Sequence, residues 1–186
     1  MSVPLPPSYD RLHRHTLLPV ANHDESARMN FLANMNAHIG AVLFPGVPAA
    51  FEAHSKPAFK KERGREPLSS VEVRDAIKPE PAYQIWSALR RNTQESRQQI
   101  GREFVFKRLP ELIEKAIEIN AGSNRLRLDP SVEVPSYLAA VDNHAMPGSY
   151  YTEIVPDDIS APANYESGHY TTVAGGTGPK SDLVGR

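Results

Sequence analysis

Apolar side chains recur along the first two thirds of the chain at helical rather than strand spacing, and caps and breakers divide them into segments. Asn22 with Glu25 three residues on makes a capping-box pattern, and Phe31, Leu32, Met35, Ile39, Val42 and Leu43 follow as one apolar stripe. A helix is expected from Asn22 until Phe44-Pro45-Gly46 ends it. A short helical piece around Ala49 to Ala53 comes next, then a charged, breaker-containing loop from Lys56 to Pro67. Ser69 with Glu72 repeats the capping-box pattern and starts a helix that must stop before Lys78-Pro79-Glu80-Pro81. Tyr83, Trp86, Leu89, Ile100 and Phe104 predict the longest helix, with a polar middle. Pro110 stands in a first turn, and Leu109, Leu112, Ile113, Ala116 and Ile117 form the cleanest stripe, closing at Asn120-Ala121-Gly122.

Beyond Gly122 the character changes. Leu126, Leu128, Val132 and Val134 alternate over a short stretch, Tyr137 to Val141 fits a brief helix, and the rest is loop-like, rich in Pro, Gly, Tyr and Asp. The fold class expected is therefore mainly α. It comprises an extended arm over 1–21, a helical domain over 22–122 and a loop-rich linker over 123–186. The final residues, Gly185-Arg186, follow a glycine-rich stretch as a new element begins, which is the pattern of a fragment.

Composition narrows the function classes. The 21 basic and 22 acidic residues nearly cancel, leaving a formal charge of -1, so no global field draws the chain to nucleic acid or anionic lipid. Without cysteine there is no disulfide, thiolate nucleophile or cysteine zinc site. No apolar run reaches the length of a membrane span, and Met-Ser-Val-Pro-Leu-Pro-Pro is not a secretory start, so the cytoplasm is the expected compartment. The 17 prolines imply stiff connections between helices.

Four groupings invite chemistry, and each has a plainer reading. Gly175, Gly176 and Gly178 resemble a phosphate loop, but no buried strand precedes them and Pro179 intrudes, so a linker is the better reading. The seven histidines, among them His13, His15, His38, His54, His144 and His169, show no metal-ligand spacing. Pro156-Asp157-Asp158 reads as a turn or helix cap ahead of an acid–base pair. Arg90, Arg91, Arg97, Arg102, Lys107 and Arg108 wander around their helix with Glu95 and Glu103 interleaved, as on a solvated or interhelical face.

The most informative stretch runs from Asp142-Asn143-His144-Ala145-Met146-Pro147-Gly148-Ser149-Tyr150-Tyr151 through Asp157 to Tyr165, then Gly168-His169-Tyr170. So many hydroxyls, carboxylates and imidazoles are costly to bury without partners, and such loops are commonly binding surfaces. This part of the chain, about the last 45 residues, resembles the region before the cofactor-binding core in a group of class I S-adenosylmethionine-dependent methyltransferases. Their chains carry a helical N-terminal region, a His-x-x-Pro-Gly-x-Tyr type loop, and a Tyr-x-x-Gly-x-Tyr type element leading into a Rossmann-like domain.

The resemblance implies a helical region that covers the small-molecule site of a downstream catalytic domain. Tyr165 and Tyr170 would approach S-adenosylmethionine, His144 would be the catalytic side chain facing the methyl acceptor, and Tyr150 and Tyr151 would bind that acceptor. The cofactor-holding glycine loop and the acidic residue after the second strand are missing, so the chain alone is expected to be inactive. The rival reading is a helical interaction or dimerisation module that pairs through the 24–43 and 109–119 stripes with another chain, a homodimer being one form of it; a third is a self-sufficient enzyme of another type.

Overall fold

The computed structural model describes residues 8–11, 17–122, 129–141, 143–146, 148–149 and 152–173. Among them every regular segment is helical and no strand forms, so the mainly α expectation holds. The alternating residues Val132 and Val134 lie in exposed, non-regular backbone, and Leu126 and Leu128 lie outside the described residues. Packing divides the described residues into two units, one of residues 35–93 and one drawn from residues 8–34 and 94–173.

In order, the helices are α1 (His23–His38), α2 (Gly46–Ala50), α3 (Lys56–Arg63), α4 (Ser70–Ile77), α5 (Pro81–Phe106), α6 (Leu109–Ala121), α7 (Ser136–Ala140) and α8 (Ser160–Val173). Two of these starts follow the capping logic closely. Asn22 Oδ1 accepts from Glu25 N at 2.9 Å while Glu25 Oε2 accepts from Asn22 N at 2.8 Å, so α1 opens on a reciprocal capping box. Ser69 Oγ accepts from Glu72 N at 3.2 Å at the start of α4, whereas the Glu72 carboxylate turns to Leu68 N and Arg65.

In the 35–93 unit, the residues expected as a loop from Lys56 to Pro67 instead form α3, which ends at Gly64 with φ 70. The helical backbone survives nearby prolines by widening its turns. Wide π-type turns span Ile39–Leu43 and Phe51–Ser55, and each ends two residues before a proline, Pro45 or Pro57. In both, the residue just before the proline donates five residues back, Phe44 N to Ile39 O at 2.9 Å and Lys56 N to Phe51 O. A proline ring clashes with the carbonyl four residues earlier, and one extra residue in the turn opens room for it. Ile39, Val47 and Ile77 are the buried apolar residues of this unit, and Phe44 packs on Trp86 with centroids 5.5 Å apart.

The second unit is built on a core of Tyr9, Met29, Ala33, Phe104, Val105, Leu112 and Tyr170. The buried stripe of α1 is thus Glu25, Met29, Leu32 and Ala33, at three- and four-residue spacing, and Phe31 of the expected stripe faces solvent at 62% exposure. Glu25 does double duty: its carboxylate also takes two hydrogen bonds from Arg108, at 3.0 and 2.7 Å. Burial pushes its pKa up, but the Arg108 and Asn22 hydrogen bonds outweigh that and hold it below the usual range. No helix among the described residues is long and apolar enough to cross a membrane.

Candidate functional site

Helix α8 runs through residues expected as loop, and its start explains why. The Asp158 carboxylate accepts from Ser160 N at 2.6 Å and from Ile154 N at 2.9 Å, which satisfies a first-turn donor and fixes the approach of the chain. Burial raises the Asp158 pKa, yet these backbone donors outweigh it and the net shift is downward. The cap reading of Pro156-Asp157-Asp158 is the one the structure bears out.

Helical geometry then sorts the side chains of the Tyr-x-x-Gly-x-Tyr element. Residues four apart differ by about 40° around a helix axis, and residues five apart by about 140°. Tyr165 and His169 therefore share a face, with ring centroids 6.3 Å apart, while Tyr170 turns away from them into the core. Tyr170 is 2% exposed, lies 5.4 Å from the Tyr9 ring in an edge arrangement, and donates its hydroxyl to Asn30 Oδ1 at 2.9 Å. Burial pushes its phenol up to about 12. Contact between Tyr170 and a cofactor would require the ring to leave the core, whereas Tyr165 is 39% exposed where it stands.

Two glycines let α8 approach α5 closely. A Cβ at Gly101 would lie 2.0 Å from Asn164 Oδ1, and one at Gly168 would lie 2.4 Å from Arg97 Nε. Into this crossing fits Arg97, 5% exposed, which donates to Thr172 Oγ1 at 2.8 Å and holds its guanidinium 5.8 Å from the Tyr165 ring centroid. The interhelical reading of the basic run is the observed one here and at Arg108. Next to Arg97, His169 Nε2 is buried and makes no hydrogen bond to the described residues. Burial first, and the Arg97 charge second, lower the His169 pKa against the opposing effect of Glu166, so the ring is neutral at pH 7.

His144 reaches the same face from the preceding loop. Its ring centroid lies 6.3 Å from that of Tyr165, and its backbone adopts φ 64 in a short 3-10 turn, Asn143–Ala145. Buried Gln98 of α5 donates Nε2 to the His144 carbonyl at 3.0 Å and accepts from Asn164 Nδ2 at 2.8 Å through Oε1. An open groove of roughly 350 Å³, mouth included, lies alongside and is lined by Arg102, Phe106, Met146, Thr152, Ile154 and Ser160.

Of the residues singled out from sequence, the structure brings His144 and Tyr165 together and places Tyr170 in the core. Tyr150, Tyr151 and Gly175 to Gly178 lie outside the described residues. Sequence reasoning gave Arg97, Gln98, Asn164 and His169 no site role, although Asn164 and His169 lie in the stretch it singled out and Arg97 in the basic run. The four-residue spacing of Tyr165 and His169 carries meaning once 160–173 is known to be helical. No cluster of three or more His, Asp or Glu able to hold a metal ion occurs among the described residues. No strand followed by a glycine loop occurs among those residues. The chain matches no family model, and neither the curated proteins nor the solved structures include a significant match.

Proposed function

We propose that this chain is the substrate-covering helical region of a small-molecule methyltransferase that uses S-adenosylmethionine, and that catalysis requires a Rossmann-like domain in addition. One observation carries the reading: the two segments that resemble that family converge, with the His144 and Tyr165 rings 6.3 Å apart on one face. An electron-rich phenol ring, partly exposed, suits the sulfonium-bearing cofactor. The imidazole of His144, exposed beside it, suits orientation of an acceptor hydroxyl or amine. Tyr170 supports the helix that carries Tyr165 in this reading, and Tyr150 with Tyr151 remain acceptor-side residues.

The experiment compares this chain alone with the assembly of this chain and the Rossmann-like domain that the reading requires. The assembly should transfer a labelled methyl group from S-adenosylmethionine, Tyr165→Ala should weaken cofactor binding, and His144→Ala should lower turnover more than cofactor affinity. The isolated chain should give no calorimetric heat with S-adenosylmethionine. Tight binding by the chain alone overturns the division of labour, and an assembly that binds no S-adenosylmethionine overturns the reading itself.

A second reading, a helical dimerisation module, draws on Ile117 of α6, an apolar residue of the 109–119 stripe that is 51% exposed. It requires self-association in sedimentation that Ile117→Lys abolishes.

A further inference from the structure

We propose that Gln98, oriented by Asn164, is a positioning residue that holds the His144–Ala145 segment in its left-handed conformation and thereby sets the His144 ring against Tyr165. The proposal takes from the methyltransferase reading only the importance of His144.

The loop is strained where it carries the imidazole. His144 has φ 64 and Ala145 has φ 53, and Ser149 at φ 54 follows glycine at 148 with φ 81. A Cβ in that region crowds its own backbone, so consecutive non-glycine residues persist there only when surrounding contacts hold them. Gln98 supplies such a contact from a rigid support. It is 1% exposed in the middle of the 26-residue α5, and its Nε2 reaches the His144 carbonyl at 3.0 Å.

The direction of the Gln98 amide is determined rather than free. Asn164, 2% exposed, is packed against Gly101, where no side chain intervenes, and presents Nδ2 to Gln98 Oε1 at 2.8 Å. With the oxygen end engaged, the NH2 end of Gln98 must face the loop. A flipped amide would set Oε1 against the His144 carbonyl and repel it. Gln98 and Asn164 thus transmit the α5–α8 crossing to the backbone of His144.

The test is magnetic resonance on the chain as it stands, reading the nuclear Overhauser cross-peak between the His144 and Tyr165 rings. Gln98→Leu, close in volume but without either hydrogen bond, should lose most of that cross-peak. Asn164→Ala, which frees the amide to turn, should weaken it to an intermediate level and serves as the reading if Gln98→Leu does not fold. Adding Ala145→Gly to either variant should restore the cross-peak, because glycine adopts positive φ without strain. An unchanged cross-peak in the folded single variants overturns the proposal, as does a loss that Ala145→Gly fails to restore. The readout needs neither cofactor nor acceptor. Its failure therefore leaves the methyltransferase reading standing, and a failed methyl-transfer assay leaves the positioning result standing.

Discussion

The Oδ1 atom of Asn30 accepts from both the Tyr9 backbone N–H at 2.8 Å and the Tyr170 hydroxyl at 2.9 Å, while its Nδ2 donates to Ser8 at 2.9 Å. Asn30→Ala removes the acceptor for two poorly solvated donors at once. It should cost ~2–4 kcal/mol in chemical denaturation, and a loss below ~0.5 kcal/mol would mean that water takes over both contacts. The same environment makes Tyr170 titrate late. Its phenol, pushed up to about 12 by burial, should stay protonated while ordinary tyrosines ionise near pH ~10. The unfolded chain releases that proton first, so the associated stability is present below pH ~10 and is lost as pH rises towards 12. Ultraviolet titration of wild type against Tyr170→Phe checks this, since the variant should lack the latest phenolate step. His169 works in the opposite direction. Its lowered pKa gives stability that is present above pH ~6.5 and is lost as pH falls towards the folded value, and His169→Gln should flatten that acid limb.

Helices α5 and α8 approach closely at a glycine on each, and that is a statement about distance rather than flexibility. Gly101→Ala would drive a methyl to 2.0 Å from Asn164 Oδ1, and Gly168→Ala would bring one to 2.4 Å from Arg97 Nε. Each should cost ~1–3 kcal/mol through overpacking, despite the better helix propensity of alanine. Gly40 is the control, with nothing within 4 Å of the place a Cβ would take, so Gly40→Ala should leave stability unchanged or raise it by up to ~1 kcal/mol. Thermal unfolding of the three variants separates the cases. Equal effects at all three positions would show that propensity governs and that the crossing tolerates a methyl. The wide turns before Pro45 and Pro57 obey a similar local logic, with a steric clash resolved by one extra residue in the turn.

Chain closure across the second unit joins residues far apart in sequence. The Tyr9 ring packs on Phe104 at 6.2 Å and on Tyr170 at 5.4 Å, and is 1% exposed. The segment expected as an extended arm therefore supplies a core aromatic to the unit that carries the His144 and Tyr165 face. Tyr9→Ala should cost ~3–5 kcal/mol and raise the accessibility of Tyr170 to the solvent. Hydrogen exchange through α8 should accelerate in that variant. Unchanged protection there would detach the turn Tyr9–Arg11 from the support of the site.

Local rules along the chain were sufficient for the caps at Asn22 and Ser69, the stop before Pro79, the first-turn proline of α6 and the cap at Asp158, because each depends on residues within one helical turn. They were insufficient for α3 and α8. There prolines and glycines read as breakers, yet Pro57 and Pro162 lie in opening turns, and Gly168 serves a close helix crossing. The residues worth attention in 142–170 were legible as a polar, aromatic cluster, but their grouping was not. Whether Tyr165 or Tyr170 faces His144 depends on a rotation of about 140° that exists only once the segment is helical. Arg97, Gln98 and Asn164 joined the site through contacts spanning 46 to 75 residues. No pattern along a chain encodes such contacts, because they arise when two helices pack at a particular crossing and leave room for particular side chains.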